Sequence, residues 1–173
     1  MMKNKHSSHL AVFNNQSRIL LVKRRDVPIW VIPGGLGEKG ETPLVTAIRE
    51  FGEETGVSIS HINISHVATY LPKKSGGRKK YLFCAKHVKL EGMRTTKEAS
   101  EFGYFDIKNL PTPISLYETR KIIEAYQHAS SEPLIRTDSV FYFSEALAQI
   151  KHPARFLKLV SLFTLAKMKR GLV

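Results

Sequence analysis

Short apolar runs of strand length, separated by turn-forming residues, dominate the chain as far as Pro113, and a helical period replaces them once within that stretch and again beyond it. Leu10–Phe13 and Arg18–Arg24 read as two strands joined by a turn at Asn14-Asn15-Gln16-Ser17. Ile29–Ile32 reads as a short strand. His61–Leu71 and Lys79–Leu90 are β-rich runs joined by the basic tip KKSGGR, and Glu101–Ile107 is a further strand before Leu110-Pro111. Over Thr42–Thr55 the period lengthens: Leu44, Val45, Ile48 and Phe51 gather on one side of a predicted helix. Ser115–Ala129 is a second helix, with Ser115 as N-cap and Glu118 three residues on, the pattern of a capping box. Strands flanking a helix in this order predict an α/β chain, a mixed sheet with helices on both faces.

The first helix stands out for its acids. Gly40 ends the loop before it, Glu41 and Thr42 supply N-terminal chemistry, Pro43 suits the first turn and Gly56 closes the other end. At roughly 100° per residue, Glu50, Glu53 and Glu54 share one arc of about 100°. Arg49 flanks Glu53 at a spacing of four and can pair with it. A solvated acidic helix end is the plainer reading. Three such carboxylates repel one another, however, and acid at a helix C-terminus opposes the macrodipole. A bound divalent cation supplies the compensation, and hard carboxylate oxygens select Mg²⁺ or Mn²⁺ over zinc. Just before the helix, Gly34-Gly35 is either an ordinary tight turn or a place where backbone approaches a ligand closely.

Gly35, five residues, Glu41, seven residues and then Arg49-Glu50-Phe51-Gly52-Glu53-Glu54-Thr55-Gly56-Val57 is a 23-residue pattern that resembles the complete Nudix box. The resemblance extends over roughly residues 8 to 112 and implies a Nudix-type α/β/α sandwich with a central mixed sheet. It also implies a MutT-like hydrolase that cleaves a diphosphate linkage in nucleoside diphosphate derivatives or nucleoside triphosphates by metal-assisted attack of water. Carried over by position, Glu50, Glu53 and Glu54 would hold Mg²⁺ (or Mn²⁺) together with the carbonyl of Gly35, while Arg49 would fix a carboxylate through a charge-assisted bond. Glu50 is the candidate base inside the box. Outside it, Glu98 and Glu101 precede the strand FGYFDIKNLP, and Glu101 matches the family's acid position better. One of Arg24 and Arg25 is expected on phosphate, since alternation sends them to opposite sheet faces. The basic hairpin Lys73–Lys80, with Arg78, could reach over the site. Pro72, fifteen residues past the box, is a feature of ADP-ribose-cleaving members, whereas the positive charge suits triphosphates or RNA 5′ ends equally well. A non-catalytic Nudix-fold nucleotide sensor or RNA-binding module is the alternative; loss of a box glutamate would favour it, and none is lost.

Net charge of +12 reinforces an anionic partner. Between Lys73 and Lys97 nine Lys or Arg accompany a single acid, Glu91. Cys84, the one cysteine, excludes an internal disulfide, and its neighbours Tyr81-Leu82-Phe83 mark a buried strand residue; together with the lack of an apolar leader this predicts a cytoplasmic protein without a transmembrane segment. The expected organisation is a hydrolase domain over residues 1–132 and a mainly helical extension over 133–173. Within that extension Pro133–Arg136 reads as a connection. ARFLKLVSLFTLAKMKR, after Pro153, is apolar at Phe156, Leu159, Val160, Phe163 and Ala166, suited to packing on the domain, to a homodimer interface, or to an anionic membrane surface.

Overall fold

The computed structural model describes residues 6–138 apart from 62 and 74, together with Ser161. Eight strands and two helices follow in the order β1 (His6–Val12), β2 (Ile19–Arg24), β3 (Trp30–Val31), β4 (Gly34–Leu36), α1 (Pro43–Thr55), β5 (Ile64–Pro72), β6 (Lys79–Ala85), β7 (Ala99–Phe105), α2 (Leu116–His128) and β8 (Leu134–Asp138). They form a five-stranded mixed sheet, β4-β1-β6-β5-β8, and a three-stranded antiparallel sheet, β3-β2-β7.

Alternation along β1 divides the core between the two helices. Leu10 and Val12 join Leu20, Phe83, Ala47 and Phe51 in the cluster that carries α1. Ala11 and Phe13 face the other way, with Leu21, Trp30, Ile32, Leu82, Ile122 and Ala125, in the cluster that carries α2. Phe51 is fully buried, a burial of about 2–3 kcal/mol that clamps α1 to the sheet. α1 is therefore fixed by its apolar side, and its acidic side is left at the sheet's margin.

Both helix starts follow the sequence reading, with one difference. Thr42 caps α1, its Oγ1 accepting from the N–H of Val45, and Gly56 closes the helix in the left-handed region at φ 73°. Ser115 caps α2 by accepting from the N–H of Glu118. The reciprocal half of the capping box is not made. Glu118 turns inward instead, where it accepts from the N–H of Ile32 and pairs with the buried Lys121.

Two segments differ from expectation. Gly34–Leu36 is strand β4, paired antiparallel with β1 through Ser7↔Leu36, Ser8↔Gly35 and His9↔Gly34. Pro133–Arg136, read as a connection, overlaps strand β8, Leu134–Asp138, which pairs parallel to β5 and extends the sheet past residue 132. Both are short strands whose hydrogen bonds go to a partner distant in sequence, which local composition does not encode. The segments expected at Val140–Phe143, Ser144–Lys151 and beyond Pro153 lie outside the described residues, Ser161 excepted. Cys84 is buried in β6 and its thiol is pushed up to about 12 by burial, the inert state of a core cysteine. Among the described residues no helix is long and apolar enough to cross a membrane.

Candidate active site

The acidic side of α1 is organised by one arginine. The guanidinium of Arg49 donates from Nε (2.7 Å) and Nη2 (3.1 Å) to the two oxygens of Glu41, from Nη1 to Glu53 (3.0 Å) and from Nη2 to the carbonyl of Leu36 (2.9 Å). Glu50 lies 3.0 Å from the same Nη2. A planar fork of five donors suits this task better than an ammonium would. The Arg49 bond holds the Glu41 carboxyl down at about 2, and Glu41 in turn raises Arg49 above its ordinary value. Thr46 and the N–H of Glu38 also donate to Glu41, which ties the loop to the helix.

Strand β4 brings backbone against the other two acids. The N–H of Gly34 donates to Glu54 at 2.9 Å. A Cβ on Gly35 would fall 2.3 Å from a Glu50 oxygen, so only glycine lets the carboxylate lie there. Glu50 and Glu54 are both buried. Burial is the main reason the Glu54 carboxyl rises to about 8; the Gly34 N–H opposes the rise, while the charges of Glu50 and Glu98 add to it. Glu50 rises for the same main reason, with Arg49 opposing. These two acids are desolvated and crowded by like charge, the condition a cation relieves.

A cleft of about 650 Å³ opens over them. Glu50, Glu53, Glu54, Gly34 and Gly35 line one side, and Arg24, Arg25, Lys97 and Glu98 close it, with Ser7, His9, Asp26 and Leu36 completing the wall. Both arginines reach the cleft, although alternation assigned only one of them to it. The reason is that β2 ends at Arg24 and alternation does not extend to Arg25. Arg24 makes a bidentate pair with Asp26 (2.9 and 2.7 Å), and Arg25 donates to the carbonyls of Thr96 and Ala99.

Glu101 is not at the cleft. It stands opposite Lys23 in the β2–β7 register and pairs with it at 2.7 Å, more than half exposed. A bulge between Lys23 and Arg24 sets Arg24 opposite Ala99, and Glu98, just before β7, is the acid that lines the cleft. Arg78 is exposed in the β5–β6 connection and does not line this cleft. His9 was not singled out from sequence. Burial first, and then the charge of Lys121, keeps its imidazole well below its ordinary value and so neutral.

The donors present fit a hard divalent cation. Among the described residues no three carboxylate, imidazole or thiol side chains converge on one point as a closed cage does. Mg²⁺ takes only one or two carboxylates and completes its shell with water and substrate phosphate, so carboxylates along one wall beside the Gly35 main chain are the arrangement it needs.

The profile of the NUDIX domain family matches residues 3–126. The chain belongs to this family. An RNA pyrophosphohydrolase of Gluconobacter oxydans (strain 621H) is 40% identical over 55 residues, 31% of this chain and 32% of that one. An ADP-ribose pyrophosphatase of Methanocaldococcus jannaschii is 28% identical over 118 residues, 66% of this chain and 69% of the relative. The first curated relatives are matched over about a third of their length, 30% and 32%. Among solved structures, a NUDIX hydrolase from Nitrosomonas europaea superposes with a TM-score of 0.59 at 20% identity, covering 79% of this chain and 82% of that one. At that identity the likeness is one of fold, and it gives this NUDIX chain the α/β sandwich the sequence predicted.

Proposed function

We propose that this chain is a Mg²⁺-dependent hydrolase of diphosphate linkages in nucleoside diphosphate derivatives or nucleoside triphosphates. The observation that carries the reading is one cleft in which Glu50, Glu53 and Glu54 stand beside the Gly34–Gly35 main chain, with Arg24 and Arg25 facing them. Glu50, Glu53 and Glu54, one or two of them at any one ion, would hold Mg²⁺ together with the Gly35 carbonyl. When bound, it neutralises phosphate oxygens and lowers the pKa of a bound water. Arg49 keeps Glu53 and Glu50 in position and leaves Glu54 to the Gly34 N–H. Arg24 and Arg25 orient the phosphates at the open side. Water attacks phosphorus, the anhydride P–O bond breaks, the leaving phosphate takes the electron pair, and a carboxylate accepts the water proton. Glu98 is best situated for that last role, because it lines the cleft from outside the helix.

The names of the relatives support both an RNA 5′ end and an ADP-ribose type of linkage. The test is phosphate release from ADP-ribose, sugar nucleotides, dinucleotides, nucleoside triphosphates and triphosphorylated RNA with Mg²⁺ or Mn²⁺, a phosphatase being coupled for monophosphate products. Turnover that disappears in Glu53→Gln is the expected outcome. Absence of turnover on every compound, with nucleotide binding intact, would refute the hydrolase and mark a binding module.

A further inference from the structure

Beyond Glu53 the cleft does not close. It shares Glu53, Lys97 and Glu98 with a neighbouring depression of about 520 Å³, and that one shares Gly52, Glu53, Gly56 and Arg94 with a third of about 390 Å³. The three form one trough along the C-terminal half of α1. From Glu50 to Gly56 it runs about 9 Å along the helix axis.

Its outer wall, the segment 94–99, is fixed in place. The N–H of Arg94 donates to the carbonyl of Thr55 (3.0 Å), and Thr96 Oγ1 accepts from the N–H groups of Glu98 (3.2 Å) and Ala99 (3.1 Å). Arg25 pins the same segment through its own N–H to the carbonyl of Glu98 and through its guanidinium to two more carbonyls. The stem of Arg94 packs where a side chain at Gly56 would otherwise sit, 2.6 Å from a Cβ built there. Two exposed cations, Arg94 and Lys97, are thus presented by an ordered segment.

Charge use along the trough is uneven. Arg49 is committed to three glutamates and Arg24 to Asp26. Arg25 is held by the carbonyls of Thr96 and Ala99, whereas Arg94 and Lys97 have no ion pair among the described residues, so theirs are the least committed positive charges along the trough. Arg94 lies farthest from Glu50 along α1, where it stands against Gly56.

Building on the pyrophosphohydrolase reading, we infer that the substrate extends beyond a single nucleotide, and that Arg94 and Lys97 bind a phosphate of that extension in this trough. Two kinds of compound supply the required chemistry: a 5′-phosphorylated oligoribonucleotide, through its next phosphodiester, and a dinucleoside polyphosphate, through its distal phosphate.

The experiment compares kcat/KM for a nucleoside triphosphate, a 5′-triphosphorylated tetraribonucleotide and diadenosine tetraphosphate in the full chain with Mg²⁺. The wild type is run beside Arg94→Met, Lys97→Met and the double variant, which keep the aliphatic stems and remove the charges. A preference of tenfold or more for one of the longer compounds, carried in KM, is expected to fall to threefold or less in the double variant. Whichever longer compound is preferred identifies the source of the phosphate. Equal kcat/KM for long and short compounds in the wild type, or a preference untouched in the double variant, would overturn the inference. Fluorescence anisotropy with labelled tetraribonucleotide, competed by the mononucleotide, gives the same ratio without turnover. A chain that hydrolyses nothing but keeps a charge-dependent length preference would retain this subsite and lose the hydrolase reading.

Discussion

Gly35→Ala puts a methyl group where the fold already holds a carboxylate. The new Cβ would lie 2.3 Å from one Glu50 oxygen, 2.5 Å from its carboxyl carbon and 2.7 Å from the other oxygen. Restoring a separation of 3.0 Å from 2.3 Å moves that oxygen by at least 0.7 Å, the difference of the two. Glu50 cannot make room freely, because Arg49 holds it at 3.0 Å and its surroundings bury it. The obstacle is the end of a side chain and Gly35 lies outside the left-handed region, so folding should lose only about 1 kcal/mol, the low end of overpacking costs. The site should lose more. A displacement approaching 1 Å costs about 100-fold in turnover, or about 2.7 kcal/mol of transition-state stabilisation. Gly40→Ala is the control: at φ 87° it strains the backbone by about 1–2 kcal/mol with nothing within 4 Å of the new methyl. The assay is paired, with thermal unfolding for stability and Mn²⁺ titration by electron paramagnetic resonance plus single-substrate turnover for the site. Gly35→Ala should lose metal affinity and rate with little change in Tm, and Gly40→Ala the reverse. Wild-type metal binding and turnover in Gly35→Ala would refute the close-approach argument.

Three further outcomes are expected. Glu98→Gln should lower kcat by about 10²-fold or more, within the range for loss of a general base. Glu101→Gln, which only breaks an exposed pair with Lys23, should change kcat less than threefold and stability by less than about 1 kcal/mol; the opposite ranking would return the role to Glu101. Glu41 is a carboxyl depressed in the folded state, so its contribution is present above about 4.5 and lost as pH falls toward about 2. Urea unfolding should therefore find Glu41→Gln less stable than wild type by about 1 kcal/mol at pH 6, with the gap closing by pH 2.5, and a pH-independent gap would contradict the Arg49 bond as its cause. Glu54 has the opposite sign: raised to about 8, it leaves the metal-free protein losing stability as pH rises from 4.5 through 8. Added Mg²⁺ should then raise Tm more at pH 8.5 than at pH 6 and release protons into a weakly buffered solution, and an equal gain at both values would count against Glu54 as a ligand.

What the sequence determined by itself is local. The caps at Thr42, Ser115 and Gly56 act within a turn or so of the residues they serve, and three acids on one helix arc follow from a fixed period, so the box and its orientation could be read in one dimension. The tertiary structure decided whatever depends on pairing between distant segments. Strand register with β1 turned Gly34–Leu36 from a loop into β4 and brought Gly35 against Glu50. A one-residue bulge opposite Lys23 and Arg24 gave the cleft to Glu98 and sent Glu101 to the outer face, a choice of parity that composition around position 100 cannot express. Glu118 carries a capping signal in the sequence, yet its carboxylate serves the N–H of Ile32, because a buried amide with no other acceptor outweighs a cap that water can replace.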